Sequence, residues 1–237
     1  VELMMAMTLG LLLALGVMNV YLGNRQVYRM TENVNRIQDS ARVAAELLTR
    51  EIREAGGTLC GSHVIEMHES AGWLDWDAGG LQATDGETEL GGVVFGTEAA
   101  ERIDGTQAIL LQSASLGGGV AIEAHAVEAG SFTVPAGHGI GVGDLIVACD
   151  MRKASVLTIT AKTDTTLMYD KDLSALNYDP DGGKNLGAVV NRPQATLWYV
   201  GANGRGGRSL YRRLNAGGAQ EIAEGVHDLR FQFLTRN

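Results

Sequence analysis

VELMMAMTLGLLLALGVMNVYLGN, residues 1–24, carries a single charge, Glu2, at its very edge. From Leu3 to Asn24 no residue is charged, and these 22 positions wound as a helix extend about 33 Å, enough to cross a hydrocarbon core of about 30 Å. The segment therefore reads as a membrane span. A secretory signal peptide begins with basic residues, has a shorter apolar stretch and ends at a small-residue cleavage site, whereas here Glu2 leads and the pattern continues without a break. A buried core helix of a soluble protein is disfavoured by the length of the uncharged run.

Residues 25–55 extend the same helix. Val27, Met30, Val34, Ile37, Ala41, Ala44 and Leu48 recur at steps of three and four, and Ile52 and Ala55 continue the stripe; arginines and acids fill the other faces. Gly56-Gly57 is the first strong stop signal, so one helix of about 55 residues, roughly 80 Å long, is predicted. Gly10, Gly16 and Gly23 are its weak points, each costing about 1 kcal/mol relative to Ala. Periodicity alone also permits a coiled-coil stalk over the polar half.

Charge is divided unevenly. The first 59 residues hold six Arg against six acids, so the whole net charge of −9 belongs to the chain beyond them. An acidic domain with four Lys lacks the clustered basic surface that nucleic acid requires; Arg205, Arg208, Arg212 and Arg213 read as the solvated face of a hairpin. The two cysteines, Cys60 and Cys149, are 89 positions apart with no CxxC or Cys/His cluster. Beside a membrane segment, such a pair suits a disulfide formed outside the cytoplasm, closing a loop worth about 4 to 5 kcal/mol in the chain-entropy model. Two separate buried thiols are the alternative.

After Cys60 the period changes. Residues 107–112, 120–127, 144–150, 155–162 and 166–169 are short β-prone stretches broken by turn residues. QATLWYVG, RSLYRRL, AQEIAEG and VHDLRFQFL then alternate with glycine-rich turns, with Leu229, Phe231 and Phe233 on one face of the last. The prediction is an α+β fold: a membrane half of the helix at 1–24, an amphipathic half at 25–56, and a β-rich domain at 57–237 whose antiparallel meander buries the Val27–Ile52 stripe.

Signs of chemistry are sparse. His63 and His68 are five apart and the other histidines isolated, so no zinc-protease helix or nucleophile elbow is present, and no enzymatic activity is expected. GHGIGVGD at 137–144 has no helix after it and no terminal Lys-Ser/Thr, and reads as a turn rather than a phosphate cradle. Asp179, Asp181 and Asn185 have a partial calcium-loop spacing without the closing Glu, and no metal or other cofactor is predicted. Trp73 and Trp76, in the glycine-rich acidic stretch GWLDWDAGG, are candidate partner contacts if exposed, or core residues if tucked against their own domain.

The apolar segment beginning V-E-L and running into RVAAELLTREIREAG at 42–56 resembles the N-terminal half of type IV pilin-like proteins. GDLIVACD at 143–150, ASVLTIT at 154–160, and then LWYV, SLYRR and EIAEGVHDLRFQF are similar to the PilW family of minor pilins. The resemblance implies a pilin-like fold, peptidase cleavage after a glycine and a methylated N-terminus, with about three residues of the type Phe-Thr-Leu preceding Val1. It gives Glu2 the assembly role, facing the N-terminal amine of a neighbouring subunit in the filament. The implied partners are membrane lipid before assembly, the inner-membrane assembly platform, other minor pilins, the major pilin and a tip adhesin. The implied location is the bacterial inner membrane, single-pass with a periplasmic domain, and then the pilus. The implied function is to prime filament assembly at the tip, for motility, adhesion or DNA uptake. Two other readings share the N-terminal pattern: a type II secretion pseudopilin of the tip complex, and a permanent single-pass anchor for a binding domain.

Overall fold

The computed structural model describes residues 1–61, 65–67, 73, 74, 76, 79–114, 118–170, 177, 178 and 187–234, without the side chains of 65–67. Helix α1 spans Glu2–Glu54 without interruption at Gly10, Gly16 or Gly23. It stops at the predicted place, because Gly56 takes a left-handed φ of +74° and donates its N–H to the Gln112 carbonyl (2.7 Å) instead of continuing the helical ladder. Two compact units result, Val1–Glu46 and Leu47–Asn237, so the last two turns of α1 belong to the second.

The second unit contains β1 (Ile65–Met67), β2 (Leu81–Thr84), β3 (Ala108–Ser113), β4 (Val120–Ala121), β5 (Ala124–Ala126), β6 (Ser131–Thr133), β7 (Leu145–Cys149), β8 (Ala154–Thr158), β9 (Ala161–Lys162), β10 (Thr166–Met168), β11 (Val189–Asn191), β12 (Gln194–Ala202), β13 (Arg208–Leu214) and β14 (Ala219–Glu224). They form three sheets, ordered β14-β13-β12-β3-β2, β1-β8-β7-β11-β4 and β5-β6-β10-β9. Among these strands pairing is antiparallel except between β1 and β8, which run parallel, a departure from the predicted antiparallel head.

Alternation along β7 and β8 explains the layering. Val147, Cys149, Ala154 and Val156 point into one core, shared with Leu110 of β3 and Leu197 and Tyr199 of β12. Ile146, Ala148 and Leu157 point the other way, into a second core with Phe132, Leu167 and Val190. A strand pair buried on both faces therefore forms the wall between two apolar clusters, which is why GDLIVACD and ASVLTIT are nearly continuous apolar runs. The β12–β13–β14 meander obeys the glycine-punctuated pattern, with Leu197↔Arg213 and Ser209↔Glu224 among its registered pairs.

Two expectations fail. Val27, Met30, Val34 and Ile37 are exposed and Ile52 is 38% exposed, whereas Ala44 is buried and Leu48 half-buried, so the stripe is covered only in part. The last predicted strand is also absent. Residues 226–234 keep the alternation, with Leu229 and Phe231 half-buried between exposed neighbours, but join no ladder. Gly225, at φ +82°, returns its N–H to the Arg208 carbonyl and turns the chain off the sheet, after which Arg208 bonds the His227 carbonyl and the Phe231 N–H reaches Gln107 Oε1 (2.7 Å).

Candidate functional site

The apolar start of α1 is the first feature with functional content. Its side chains from Leu3 to Leu22 are exposed, and by length and composition the helix can cross a membrane. Glu2 lies in the first turn, and among the described residues it has no ion-pair or hydrogen-bond partner. A carboxylate at the centre of a spanning helix costs about 2.5 to 3.5 kcal/mol on insertion scales and less toward its edge, so within lipid Glu2 needs a cation, a proton or the headgroup layer.

At its other end, α1 enters the second unit through a buried charge. Glu51 is 5% exposed. Its Oε1 accepts from Arg212 Nη2 (2.6 Å) and Nε (2.9 Å), and its Oε2 accepts from the indole Nε1 of Trp198 (2.6 Å). Trp198, fully buried, comes from β12 and Arg212 from β13, opposite each other in the ladder, so one helical side chain bridges two strands. Both carboxylate oxygens are satisfied, the condition under which a buried ion is tolerated.

The disulfide adds a second tie. Cys60 and Cys149 are bonded, with Cα atoms 5.9 Å apart, joining the segment after α1 to the end of β7. Between these ties, Gly56 and Gly80 touch backbone to backbone, and a Cβ on Gly80 would stand 2.2 Å from the Gly56 Cα. Further along, Arg102 is 1% exposed and donates to the Thr88 carbonyl (2.7 Å) and to those of Asp85 and Thr106, with its guanidinium 4.7 Å from the Phe95 ring centre. Burial pushes its pKa down despite Asp85 and Asp104 nearby.

Several acids of the head have lowered pKa values. Burial pushes the Asp150 carboxyl up, but the N–H groups of Lys153 and Arg152 and the Arg152 guanidinium (2.8 Å) outweigh it and keep it below the usual range. Asp144 is balanced in the same way, burial being outweighed by the Gly141 N–H and Arg192. Arg205 and Ser209 lower Glu221. Burial alone raises Tyr169, and chiefly burial raises Tyr199, each to about 12.

Several sequence candidates take other places. Trp76 is 7% exposed and lies in the first core beside Leu74; Trp73 is half-buried against the same cluster. Of its two readings, partner contact or core, Trp76 takes the core one. Of the basic run, Arg205 pairs with Glu221 and Glu224, Arg208 holds the His227 carbonyl, Arg212 meets Glu51 and Arg213 reaches the Gly91 carbonyl. His125 is buried, with Nδ1 accepting from the Tyr178 N–H (3.1 Å) and Nε2 2.5 Å from the Tyr169 hydroxyl. The 137–144 stretch is the turn into β7, with Gly137, Gly139 and Gly143 at positive φ. His63, His68, Asp179, Asp181 and Asn185 lie outside the described residues. Among the described residues no three His, Cys, Asp or Glu converge as a metal site.

Sequence reasoning passed over Glu51, though a signal was present: three positions beyond Leu48, it borders the apolar stripe rather than lying on the far face. No protein-family model, no curated protein and no solved structure matches the chain.

Proposed function

We propose that this chain is a structural subunit of a type IV pilus, a minor pilin of the PilW kind, that joins other minor pilins to prime assembly at the filament tip and to present an adhesin. The observation that carries the reading is a single unbroken helix, Glu2–Glu54, whose first half is exposed and membrane-length and whose last turns are bound into a disulfide-closed β domain. Such a body suits an apolar rod that is held by lipid before assembly and by sister rods afterwards. Exchanging lipid for close helix packing loses little transfer energy and gains dispersion contacts. The head then stays in the oxidising space that the Cys60–Cys149 bond requires. In this reading the protein is not an enzyme, and Glu2 pairs with the N-terminal amine of a neighbour, a pairing supported by its lack of a partner among the described residues.

The test uses the full chain expressed in a piliated bacterium. Recovery with sheared fibres, together with a processed and methylated N-terminus by mass spectrometry, is the expected result. Glu2→Ala should leave the membrane-fraction level unchanged while lowering recovery in fibres severalfold. A wild-type chain that stays in the membrane and is never recovered with fibres or related subunits would overturn the proposal, and recovery with a secretion apparatus instead would assign it to the pseudopilins.

A further inference from the structure

At the end of the apolar run and just beyond it, Tyr21, Arg25, Tyr28 and Arg29 fall within an arc of about 100° on α1, given 100° per residue. Val27, Met30, Val34 and Ile37 occupy the opposite side of the helix, on the same turns and the two that follow. Both tyrosines are exposed, at 60% and 72%, as are both arginines. Among the described residues neither Arg25 nor Arg29 has an ion-pair or hydrogen-bond partner, whereas Arg42, farther along, pairs with Glu46 at 3.1 Å. From Tyr21 to Arg25 the helix rises about 6 Å, the depth of one headgroup layer. Arg29, another turn up, is long enough to reach back to it.

The sign of these charges needs a cause. Arginines flanking a span ordinarily lie on its cytoplasmic side. Here they flank it on the side that leads to the Cys60–Cys149 disulfide, which belongs to an oxidising compartment. An electrostatic partner on that side resolves the conflict, and amphipathic tyrosines beside arginines match the chemistry of a phosphate-bearing lipid surface.

We propose that, while the subunit is held in the bilayer, Tyr21, Arg25, Tyr28 and Arg29 form a one-sided collar for anionic lipid headgroups on the disulfide side of the membrane. Because the collar occupies one side of the helix, it tilts α1 toward that side. The tilt turns Val27, Met30, Val34 and Ile37 away from the lipid surface, toward an incoming helix. The inference rests on the single-pass reading of the chain, and it adds a lipid class, a set of residues and a direction of tilt.

The full chain is reconstituted in nanodiscs of equal phosphatidylcholine and phosphatidylglycerol, and the lipids retained on it are counted by native mass spectrometry. Helix tilt is measured in parallel by solid-state NMR in aligned bilayers. Wild-type protein should retain phosphatidylglycerol preferentially; Arg25→Gln and Arg29→Gln should each lower that preference by about fivefold. Arg42→Gln should leave it unchanged. Tilt should decrease in pure phosphatidylcholine and in the Arg25/Arg29 double variant. Equal retention of the two lipids, or a preference and tilt indifferent to both arginines, overturns the collar. Alkaline carbonate extraction separates the two readings: a chain that stays integral yet shows no lipid preference sinks the collar alone, whereas a chain that is extracted sinks the membrane span and the collar with it.

Discussion

Glu51 is a charge in a place where charge is expensive, and its neighbours determine what substitution does. Losing the carboxylate leaves Arg212 mostly buried without a counter-ion, at a cost of about 3 to 5 kcal/mol. Glu51→Gln should thus lower the melting temperature of the head by roughly 10 °C. Trp198→Phe keeps most of the apolar area but leaves Oε2 without its donor, costing about 1 to 3 kcal/mol. Pairing Glu51→Leu with Arg212→Met should recover much of the loss, because replacing both ions with apolar groups removes their desolvation. Thermal melts of the three variants check this ordering, and a double variant no better than Glu51→Gln would show that the lock matters for geometry rather than charge.

The pH dependence belongs to the same scale. Asp144, Asp150 and Glu221 have pKa values held below the unfolded range, so their stabilisation is complete above about pH 4 to 5 and is lost as pH falls through their folded values. Tyr169 and Tyr199 have the opposite sign: raised to about 12, they favour the fold below pH 10 and withdraw that support between about pH 10 and 12. Melting temperature against pH should therefore show a plateau with two falling edges. Asp150→Asn should flatten the acid edge and Tyr199→Phe the alkaline one.

At the scale of elements, the Cys60–Cys149 bond and the end of α1 act together. Reduction, or Cys60→Ser with Cys149→Ser, should cost about 4 to 5 kcal/mol in the chain-entropy model, read as a lower denaturation midpoint in urea. Gly80→Ala should be worse tolerated than Gly218→Ala, since only the former drives a methyl into the Gly56 backbone. Legibility in the sequence depends on how local an element's causes are. The helix, its stop at Gly56 and the β12–β13–β14 meander are written in periodicity and glycine placement, signals within a few residues of each other. The parallel β1–β8 pair and the Glu51 lock depend on residues 89 to 161 positions apart, and the wall between two cores on strands drawn from separate parts of the chain, which periodicity does not report. Residues 226–234 show the converse failure: alternation signals a strand, but a ladder needs an available edge, and Gly225 steers the chain off the edge of β13 and β14. Trp76 reads two ways, as a contact or as core, because its setting is turn-like while its own area favours burial, and only the packing separates the two.

At the scale of the whole molecule, the candidate site was legible at its apolar end and hidden at its other end. A 22-residue uncharged run announces itself by composition, and Glu2 stands out because it is alone there. Glu51 is one of six acids in the first 59 residues and becomes distinctive only once β12 and β13 lie beside it. The same separation governs timing. During synthesis the greasy segment precedes the head, but Glu51 cannot find Trp198 until 147 more residues exist, nor Arg212 until 161 do. Closing such distant contacts is slow. Until both strands have been made, Glu51 has neither of its partners, and that interval leaves the newborn domain open to proteases and its cysteines to mispairing.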